Sequence, residues 1–566
     1  MKSGDLRLFA LLGGILVVVV AGGLTLVATP APHSGGDNAG YLSLAYGLVE
    51  GRGYVELWEP GTPVHTKYPP GLPLLLGAMM ALGASSWMAF KLLSAVCVSV
   101  AVLLSYTWSA GRAGALGGFA VALVTALSAG WLEASRWVLS EPAFLVWTFL
   151  ALWAAERGLG AERGGEQEGG RGRWLALAGA GAILAFFTRS AGLPLVLALL
   201  GGLLLAGRVK GAAIFAVALG LPAAWWGLRA RMGGEGAYQD EFWMLNPYEP
   251  ELGLVGWLDL PARAWRNLTL YVGEVLPGEW WGAGGGAALA ALGIVLTGLA
   301  VWGWARNLRG GAGPAELFVP LYFGLILLWP EVWSGDRFLL PLYPFVLLYA
   351  GEALHALASR LGPAPAMGAV GAGALLLVAP AVPGWMALAD EASECRRIAE
   401  REDDVFACHG EGFREFRDAA SWSGANLPSD AVVLNRKPRI HYVLAGQRGR
   451  VFPFTRDPEA FLAEADRLGA RYLLVDHVDG ISLFYLPAII QARPLAFCYV
   501  RGWGAEGAAM GTDLFGILPP GERRAGGDVS QIDWCPEPYV PAEPVADADR
   551  EGWRIPLLVS GGVSGR

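Results

Sequence analysis

The sequence is poor in cysteine, histidine and charged residues. Only 5 of its 566 residues are Cys and 6 are His, and they do not form the closely spaced clusters with which proteins hold zinc. Charged residues make up 16% of the chain and the formal net charge is -8, so the basic patches that bind nucleic acid are missing. These shortages argue against a nucleic-acid-binding protein and against a metal site.

Apolar residues are abundant instead, at 54% of the chain. Runs long enough to cross a bilayer recur through about the first 390 residues and then stop. The first run, 8–28, follows Lys2 and Arg7. A cleaved signal peptide has the same order of a basic start and an apolar core, but this run is longer than such a core, so we interpret it as an anchor. The pattern predicts a polytopic α-helical membrane protein with a C-terminal soluble α/β domain.

Hydropathy predicts about eleven transmembrane helices. They cover 8–28, 86–110, 114–131, 141–156, 174–188, 190–207, 211–228, 283–304, 315–330, 337–358 and 366–388. The short loops near Arg112 and Arg208 are basic, which predicts that they and the N-terminus are cytoplasmic, in a plasma or inner membrane. The loop at 29–70 and the aromatic-rich loop at 229–282 are then extracytoplasmic.

This topology divides the chain into a membrane domain, 1–388, and an extracytoplasmic α/β domain, 389–566. In the second part, two helical patterns alternate with the short β runs AVVLN and RYLLVD, and PLAFCYV and DLFGILP continue the sheet. No glycine-rich phosphate-binding fingerprint follows these strands. The domain also holds an even number of cysteines, which suits two disulfides in an oxidising compartment and leaves their pairing open. They are Cys395, Cys408, Cys498 and Cys535.

Several ionisable residues of the membrane domain fall at the outer ends of the predicted helices. They are Asp37, Lys67, Lys91, Arg136, Glu141, Arg189, Asp336 and Arg337. Ionisable groups at such depth are candidates for function. A carboxylate beside several cations suits the transfer of a group from an anionic lipid. The carboxylate acts as general base on an acceptor hydroxyl or amine, while Lys and Arg hold the phosphate as it leaves.

Five motifs carry a family resemblance. They are Asp37 after the first span, TKYPPG at 66–71, SEP at 140–142, TRSAG at 188–192 and DRFLLPLYP at 336–344. In this order they resemble the large C-type (GT-C) fold of membrane glycosyltransferases. The chain is most similar to the phospholipid carrier-dependent branch that contains protein O-mannosyltransferases and bacterial aminoarabinose transferases. The resemblance covers roughly residues 5–390.

The resemblance implies a hexosyl- or pentosyltransferase of the cell envelope. Its donor is a polyprenyl-phosphate-linked sugar, its active site is extracytoplasmic, and the anomeric carbon is inverted. Asp37 matches the family's first-loop acidic residue and is expected to be the general base. Lys67 and Tyr68 match the loop motif, and Arg337 matches the late motif; we expect Lys67 and Arg337 to contact phosphate.

Three further residues complete the predicted substrate- or phosphate-binding set: Arg189, Glu141 and Arg136. No cofactor is required by the resemblance, and a divalent cation is left open. Two departures from the family pattern leave the acceptor open as lipid, glycan or protein. Asn38 follows Asp37 where relatives often have a second acid, and Thr66 stands where the aminoarabinose transferases have a carboxylate before the loop lysine.

Other interpretations remain for the same residues. Asp37 is also a good helix N-cap, and Lys67 or Arg337 is also suited to snorkelling to lipid headgroups. Arg136, Glu133 and Glu141 also suit an ion-paired rim, and the pair His33 and His65 is better explained as surface histidines than as metal ligands. For the whole chain, the rival functions are a transporter or flippase of lipid-linked sugars and a catalytically silent scaffold.

Overall fold

The computed structural model describes residues 3–160, 168–232, 237–282, 285–504, 510–536 and 539. Its first part is helical throughout. The helices are α1 Ser3–Val27, α2 Gly36–Val49, α3 Gly71–Ala81, α4 Trp87–Ala126, α5 Ala129–Ser135, α6 Glu141–Gly160, α7 Glu168–Thr188, α8 Leu193–Leu205, α9 Val209–Met232, α10 Ala237–Trp243, α11 Leu260–Leu270, α12 Leu276–Trp281, α13 Ala287–Arg309, α14 Pro314–Leu327, α15 Asp336–Leu339, α16 Tyr343–Ala358 and α17 Pro363–Glu402. The predicted polytopic helical membrane part is confirmed.

Helices cover most of each predicted span, but the span 114–131 runs from α4 into α5 and the span 337–358 runs from α15 into α16. The count of eleven is not confirmed. Among the described residues, six helices are long and apolar enough to cross a membrane. Helix α4 combines two predicted spans, and a break at Gly114, with φ of 76°, separates them because glycine adopts this left-handed conformation without strain. Helices α8 and α14 have only 13 and 14 residues, which is short for a bilayer.

Arg112 lies two residues before the break at Gly114, between the spans predicted at 86–110 and 114–131. Its guanidinium is 2.7 Å from a carboxylate oxygen of Glu156 and 2.6 Å from one of Glu316. Glu316 is buried, with its side chain 4% exposed. An ion pair at such depth is tolerated because each charge has a partner.

The second part is a five-stranded mixed sheet with helices. Its strands are β1 Val432–Leu434, β2 Arg448–Arg450, β3 Tyr472–Val475, β4 Phe497–Trp503 and β5 Thr512–Ile517, and its helices are α18 Glu411–Asn426, α19 Pro438–Ala445, α20 Pro458–Leu468 and α21 Ile481–Ala492. The spatial order is β2-β1-β3-β5-β4. Strand β1 is parallel to β2 and β3, whereas β5 is antiparallel to β3 and β4.

The four predicted strands and the α/β class of this part are confirmed. Sequence patterns missed β2, α19 and α21. The boundary predicted at residue 388 falls inside α17, which continues to Glu402. The two predicted disulfides are present, and the structure shows which cysteines form each one. They join Cys395 to Cys408 and Cys498 to Cys535, so the first ties the end of α17 to the loop before α18.

The α/β part and the loops of the membrane part share one apolar core. Leu42 and Leu44 of α2 belong to the same buried cluster as Val443 of α19 and Val433 of β1. The backbone N–H of Gly449 also donates to the carbonyl of Trp58 at 2.8 Å. Burial of shared apolar surface is the main stabilising contribution at such a contact. The α/β part is therefore seated directly on α2, the helix that carries Asp37.

Candidate active site

Asp37 lies in the first turn of α2, but it does not cap the helix. The N-cap residue is Gly35, which has no side chain to accept a capping hydrogen bond, and Asp37 is the second helical residue. The N-cap interpretation of Asp37 is therefore wrong, because the SGG segment lets the helix begin earlier. The carboxylate accepts a hydrogen bond from the Tyr68 hydroxyl, with 2.7 Å between Oδ1 and the phenol oxygen.

Two arginines from distant parts of the chain also face this carboxylate. Nη1 of Arg337 is 3.6 Å from Oδ2 of Asp37, and Nη1 of Arg439 is 3.4 Å from Oδ1. The Asp37 side chain is 33% exposed and that of Arg337 is 43% exposed. The ion pair is thus open on one side, where a ligand can reach both groups.

The loop that presents Tyr68 is fixed by its own hydrogen bonds. The backbone N–H of Tyr68 donates to Nε2 of His65 at 2.8 Å, and the hydroxyl of Tyr54 donates to the Tyr68 carbonyl at 2.9 Å. The two prolines that follow lead into α3, and a Cβ at Gly71 would lie 2.7 Å from the carbonyl oxygen of Phe187. Only glycine fits this close approach to α7, so the turn is held in place.

His65 is fully buried, so its interpretation as a surface histidine is wrong. Burial lowers the pKa of His65 well below its ordinary value. Because Nε2 accepts a backbone N–H, Nδ1 carries the proton, which it donates to a Glu56 carboxylate oxygen at 2.6 Å. Within the described ranges, no group of three His, Cys, Asp or Glu side chains suits a metal ion, and Asp37 is already opposite two cations.

Asn38 explains one departure from the family pattern. Its side-chain amide donates to the carbonyls of Gly35 and His33 at 3.2 and 3.4 Å, and its side-chain oxygen accepts the N–H of Val138 at 3.0 Å. A carboxylate at this position has no N–H to donate. Asn38 therefore joins the start of α2 to the segment before α6.

Glu141 supplies a second carboxylate to the same cluster. Its Oε1 is 2.6 Å from Nη1 of Arg189 and 3.6 Å from Nε of Arg337, so Arg337 lies between Asp37 and Glu141. Arg189 also donates to the Ser140 hydroxyl at 2.9 Å. The expected rim of Arg136, Glu133 and Glu141 is corrected accordingly: Glu141 faces the arginines of the site instead.

The structure places the other two predicted cations in further ion pairs. Nζ of Lys67 is 2.6 Å from a carboxylate oxygen of Glu241 and lies over the ring of Trp333. Arg136 pairs with Glu133 at 3.2 Å and with Glu391 at 2.8 Å. Lys67 still contributes to the electrostatic field at Asp37. A phosphate-binding role for Lys67 or Arg136 stays a prediction.

Arg439 was missed by sequence reasoning. It comes from α19 of the α/β part, and its Nη1 lies 2.5 Å from the Tyr68 hydroxyl. One signal did point to it: Lys437, Pro438 and Arg439 begin three residues after the end of β1. The carboxyl ends of parallel strands are where ligand-facing loops gather, and a basic pair around a proline at such an end was a candidate.

The charges around Asp37 decide its ionisation. Burial, the largest single influence, raises the pKa of this carboxyl, and the guanidinium groups of Arg337 and Arg439 lower it. The hydrogen bond from Tyr68 and the charge of Lys67 act in the same direction, and the pKa falls to about 2. Asp37 is therefore a carboxylate throughout the physiological pH range.

This low pKa gives a pH prediction. A carboxyl whose pKa is lowered on folding stabilises the fold above its ordinary pKa and loses that contribution as the pH falls towards the lowered value. The value of kcat/KM reports the ionisation of the essential groups in the free enzyme. Because Asp37 stays ionised there, we expect kcat/KM of the wild type to show no acid limb due to Asp37 between about pH 5 and pH 7. A pH–rate profile with saturating acceptor measures this. An acid limb within that interval would contradict the assigned charge state of Asp37.

Comparison with known proteins gives the fold. No protein-family model matches the sequence, and no curated protein matches it. Solved structures do match, among them membrane glycosyltransferases of the C-type fold, which confirms the resemblance at the level of fold. Three matches illustrate it.

The apo oligosaccharyltransferase of Archaeoglobus fulgidus superposes with a TM-score of 0.55 at 15% identity, over 88% of this chain and 74% of that one. The same archaeal enzyme, AglB, in complex with an inhibitory peptide and a dolichol-phosphate, gives 0.54 at 16% identity, over 91% and 74%. Apo ArnT from Cupriavidus metallidurans gives 0.51 at 14% identity, over 89% of this chain and 98% of that one.

Proposed function

We propose that the chain is a glycosyltransferase that moves a sugar from a polyprenyl-phosphate-linked donor to an extracytoplasmic acceptor, with inversion and with Asp37 as general base. The arrangement of Asp37 between Arg337 and Arg439 carries this proposal. It puts an ionised carboxylate and partly open cations where the helical part meets the α/β part. Cations stabilise a phosphate that leaves, and a carboxylate accepts a proton from the acceptor.

The proposed reaction is a single displacement. The acceptor oxygen or nitrogen attacks the anomeric carbon on the face opposite the phosphate, a new glycosidic bond forms, and the bond from that carbon to the phosphate oxygen breaks. The acceptor proton passes to Asp37, and the electron pair leaves with the polyprenyl phosphate. An arginine grips phosphate through two N–H bonds, and Arg337 is the more exposed partner of the Asp37 pair.

The low pKa of Asp37 fits a base that becomes active only when the donor is present. In the free site, two guanidinium groups stabilise the carboxylate. A donor phosphate that binds Arg337 partly neutralises the positive charge of this arginine. The ionised form of Asp37 is then less stabilised, and the pKa of Asp37 rises. Proton affinity then rises when there is a substrate to deprotonate. Glu141 and Ser140 hold Arg189 beside this position, where it is available as a second phosphate contact.

The predicted orientation is part of the proposal. The two disulfides lie in the part assigned to the extracytoplasmic side, and disulfides persist in oxidising compartments. The N-terminus is then cytoplasmic, and the donor reaches the site from the outer leaflet. The archaeal oligosaccharyltransferase is described in complex with a dolichol-phosphate, which is the chemical class proposed for this donor. Lipid, glycan and protein remain the candidate acceptors.

A reconstitution experiment separates this function from its rivals. Purified protein in liposomes is given radiolabelled polyprenyl-phosphate mannose or polyprenyl-phosphate aminoarabinose with membrane, glycan and protein acceptors from a bacterial envelope. We expect label to move from the lipid to an acceptor. Movement of intact donor between leaflets without transfer would identify a flippase, and neither event would identify a scaffold. Either outcome would overturn the proposed function.

A further inference from the structure

We propose that Arg439, supplied by the α/β part, is a positioning residue that holds the carboxylate of Asp37 and the phenol of Tyr68, so that the active site is complete only when the α/β part is docked. This inference rests on the proposed role of Asp37. It adds a role for the second part of the chain, which sequence motifs of the membrane part do not provide.

Helix α19 is built to aim this one side chain. Pro438 occupies the first position of the helix, where its missing N–H costs nothing. Every residue of α19 other than Arg439 is buried, and the helix packs against α2 and β2. A helix anchored along its whole length leaves little freedom at its second residue. Arg439 therefore reaches α2 from a fixed backbone position.

The guanidinium of Arg439 is also held on its faces. Its carbon lies 5.1 Å from the ring centroid of Trp58 and 5.1 Å from that of Tyr68, and such stacking favours arginine over lysine. Trp58 is itself 1% exposed. Nη1 then meets the Tyr68 hydroxyl at 2.5 Å and Oδ1 of Asp37 at 3.4 Å. With the bond from Tyr68 to Asp37, these contacts close a triangle.

Helix α2 leaves room for Arg439 at one glycine. A Cβ added at Gly40 would lie 3.0 Å from Cδ of Arg439 and 3.4 Å from its Nε, which is closer than ordinary van der Waals contact. A Cβ added at Gly36, one turn earlier, would lie 3.8 Å from the same Cδ, which is an ordinary contact. Gly40→Ala therefore displaces Arg439, and Gly36→Ala is its matched control.

The two arginines contact different oxygens of the Asp37 carboxylate. Arg337 faces Oδ2 and also Glu141, whereas Arg439 faces Oδ1 and Tyr68. When a phosphate engages Arg337, Arg439 keeps the carboxylate oriented towards the acceptor. A residue with this role affects the rate of the bound complex more than it affects donor binding.

Loss of Arg439 also changes the titration of Asp37. The other groups that face Asp37 are His33, Tyr41, Lys67, Tyr68, Glu141 and Arg337. Removing one guanidinium from this set takes away a cation that lowers the pKa of the carboxyl. The pKa of Asp37 then rises, and the acid limb of the pH–rate profile moves to higher pH.

The test compares Arg439→Gln, Arg439→Lys and Gly40→Ala with the wild type in the liposome transfer assay. We expect Arg439→Gln to lower kcat by about 10–100-fold with little change in KM for the donor, and to shift the acid limb upwards. Arg439→Lys restores part of kcat, and Gly40→Ala resembles Arg439→Gln. Gly36→Ala and Arg493→Gln, which breaks an exposed pair with Glu459, keep wild-type kcat. A folded Arg439→Gln variant with wild-type kcat and pH profile overturns the inference, as does a rise in KM alone.

A stability measurement makes the inference independent of activity. The melting temperatures of Asp37→Asn, Arg439→Gln and the double variant form a cycle, and we expect the single effects not to add, because the two residues share one contact. Additive effects in an active protein overturn the inference but not the proposed function. If the effects on melting temperature are non-additive but the wild type transfers no sugar, the contact between Asp37 and Arg439 exists and the proposed function is overturned. The pair then has no catalytic role.

Discussion

Asp37→Asn is expected to abolish most sugar transfer while the protein stays folded and still binds polyprenyl phosphate. Asn keeps the shape of the side chain and still accepts the hydrogen bond from Tyr68, but it cannot take the acceptor proton. Removal of a general base costs about 10²–10⁴-fold in rate. The effect falls on kcat, because the donor phosphate is held by cations and not by Asp37. Steady-state transfer rates with a radiolabelled donor measure it.

The matched control for Asp37→Asn is Glu331→Gln. Glu331 lies six residues before Arg337 in the chain. It pairs with Arg266 at 2.7 Å in an exposed position, and exposed ion pairs contribute little to stability. We expect wild-type transfer from this control. Undiminished transfer by Asp37→Asn would refute the assignment of Asp37 as the base and leave only an electrostatic role for it.

Arg337→Ala is expected to have the second large effect, and a different one. Arg337 is the cation that lies between Asp37 and Glu141. Its loss removes the proposed phosphate contact and leaves the negative charges of the two carboxylates without the cation between them. Loss of one donor to a developing charge costs about 10²–10³-fold. We expect kcat/KM to fall by that factor, with a rise in KM that Asp37→Asn does not show.

The controls for Arg337 are chemical and positional. Arg337→Lys keeps the charge but loses the two-bond grip on phosphate, so it should recover only part of kcat/KM. Arg266→Gln removes an exposed outer arginine and should leave transfer unchanged. Binding of polyprenyl phosphate, followed by intrinsic tryptophan fluorescence, gives the second readout. An Arg337→Ala variant with wild-type affinity for polyprenyl phosphate would contradict the phosphate contact.

Hydropathy and short motifs predicted the elements that carry the first half of the site. Apolar runs located the helices, and the motifs located Asp37, Glu141, Arg189 and Arg337, which the structure brings within one cluster. The sequence predicts that these residues lie at one level, because helix ends on one side of a membrane share a plane. It does not predict which residue pairs with which, because this depends on helix rotation and tilt, and helix packing determines both.

The part that escaped prediction depends on contacts between distant segments. Arg439 is 402 residues from Asp37, and its helix has only eight residues, all but one of them buried, so nothing in the local sequence indicates that it packs against α2. His65 was expected at the surface because no third metal ligand accompanies His33 and His65 in the sequence, but Tyr68 and Glu56 satisfy both ring nitrogens. Lys67 was expected to contact phosphate and is paired with Glu241, which lies on α10, a short helix inside the predicted loop 229–282.

The most direct test is the anomeric configuration of the product. Wild-type protein is incubated with a polyprenyl-phosphate sugar of known anomer and an acceptor that becomes labelled, and the product is examined by proton NMR. A single displacement at the site of Asp37 predicts the opposite anomer in the product. A product that retains the donor configuration, or no product in a preparation that binds polyprenyl phosphate, would contradict it.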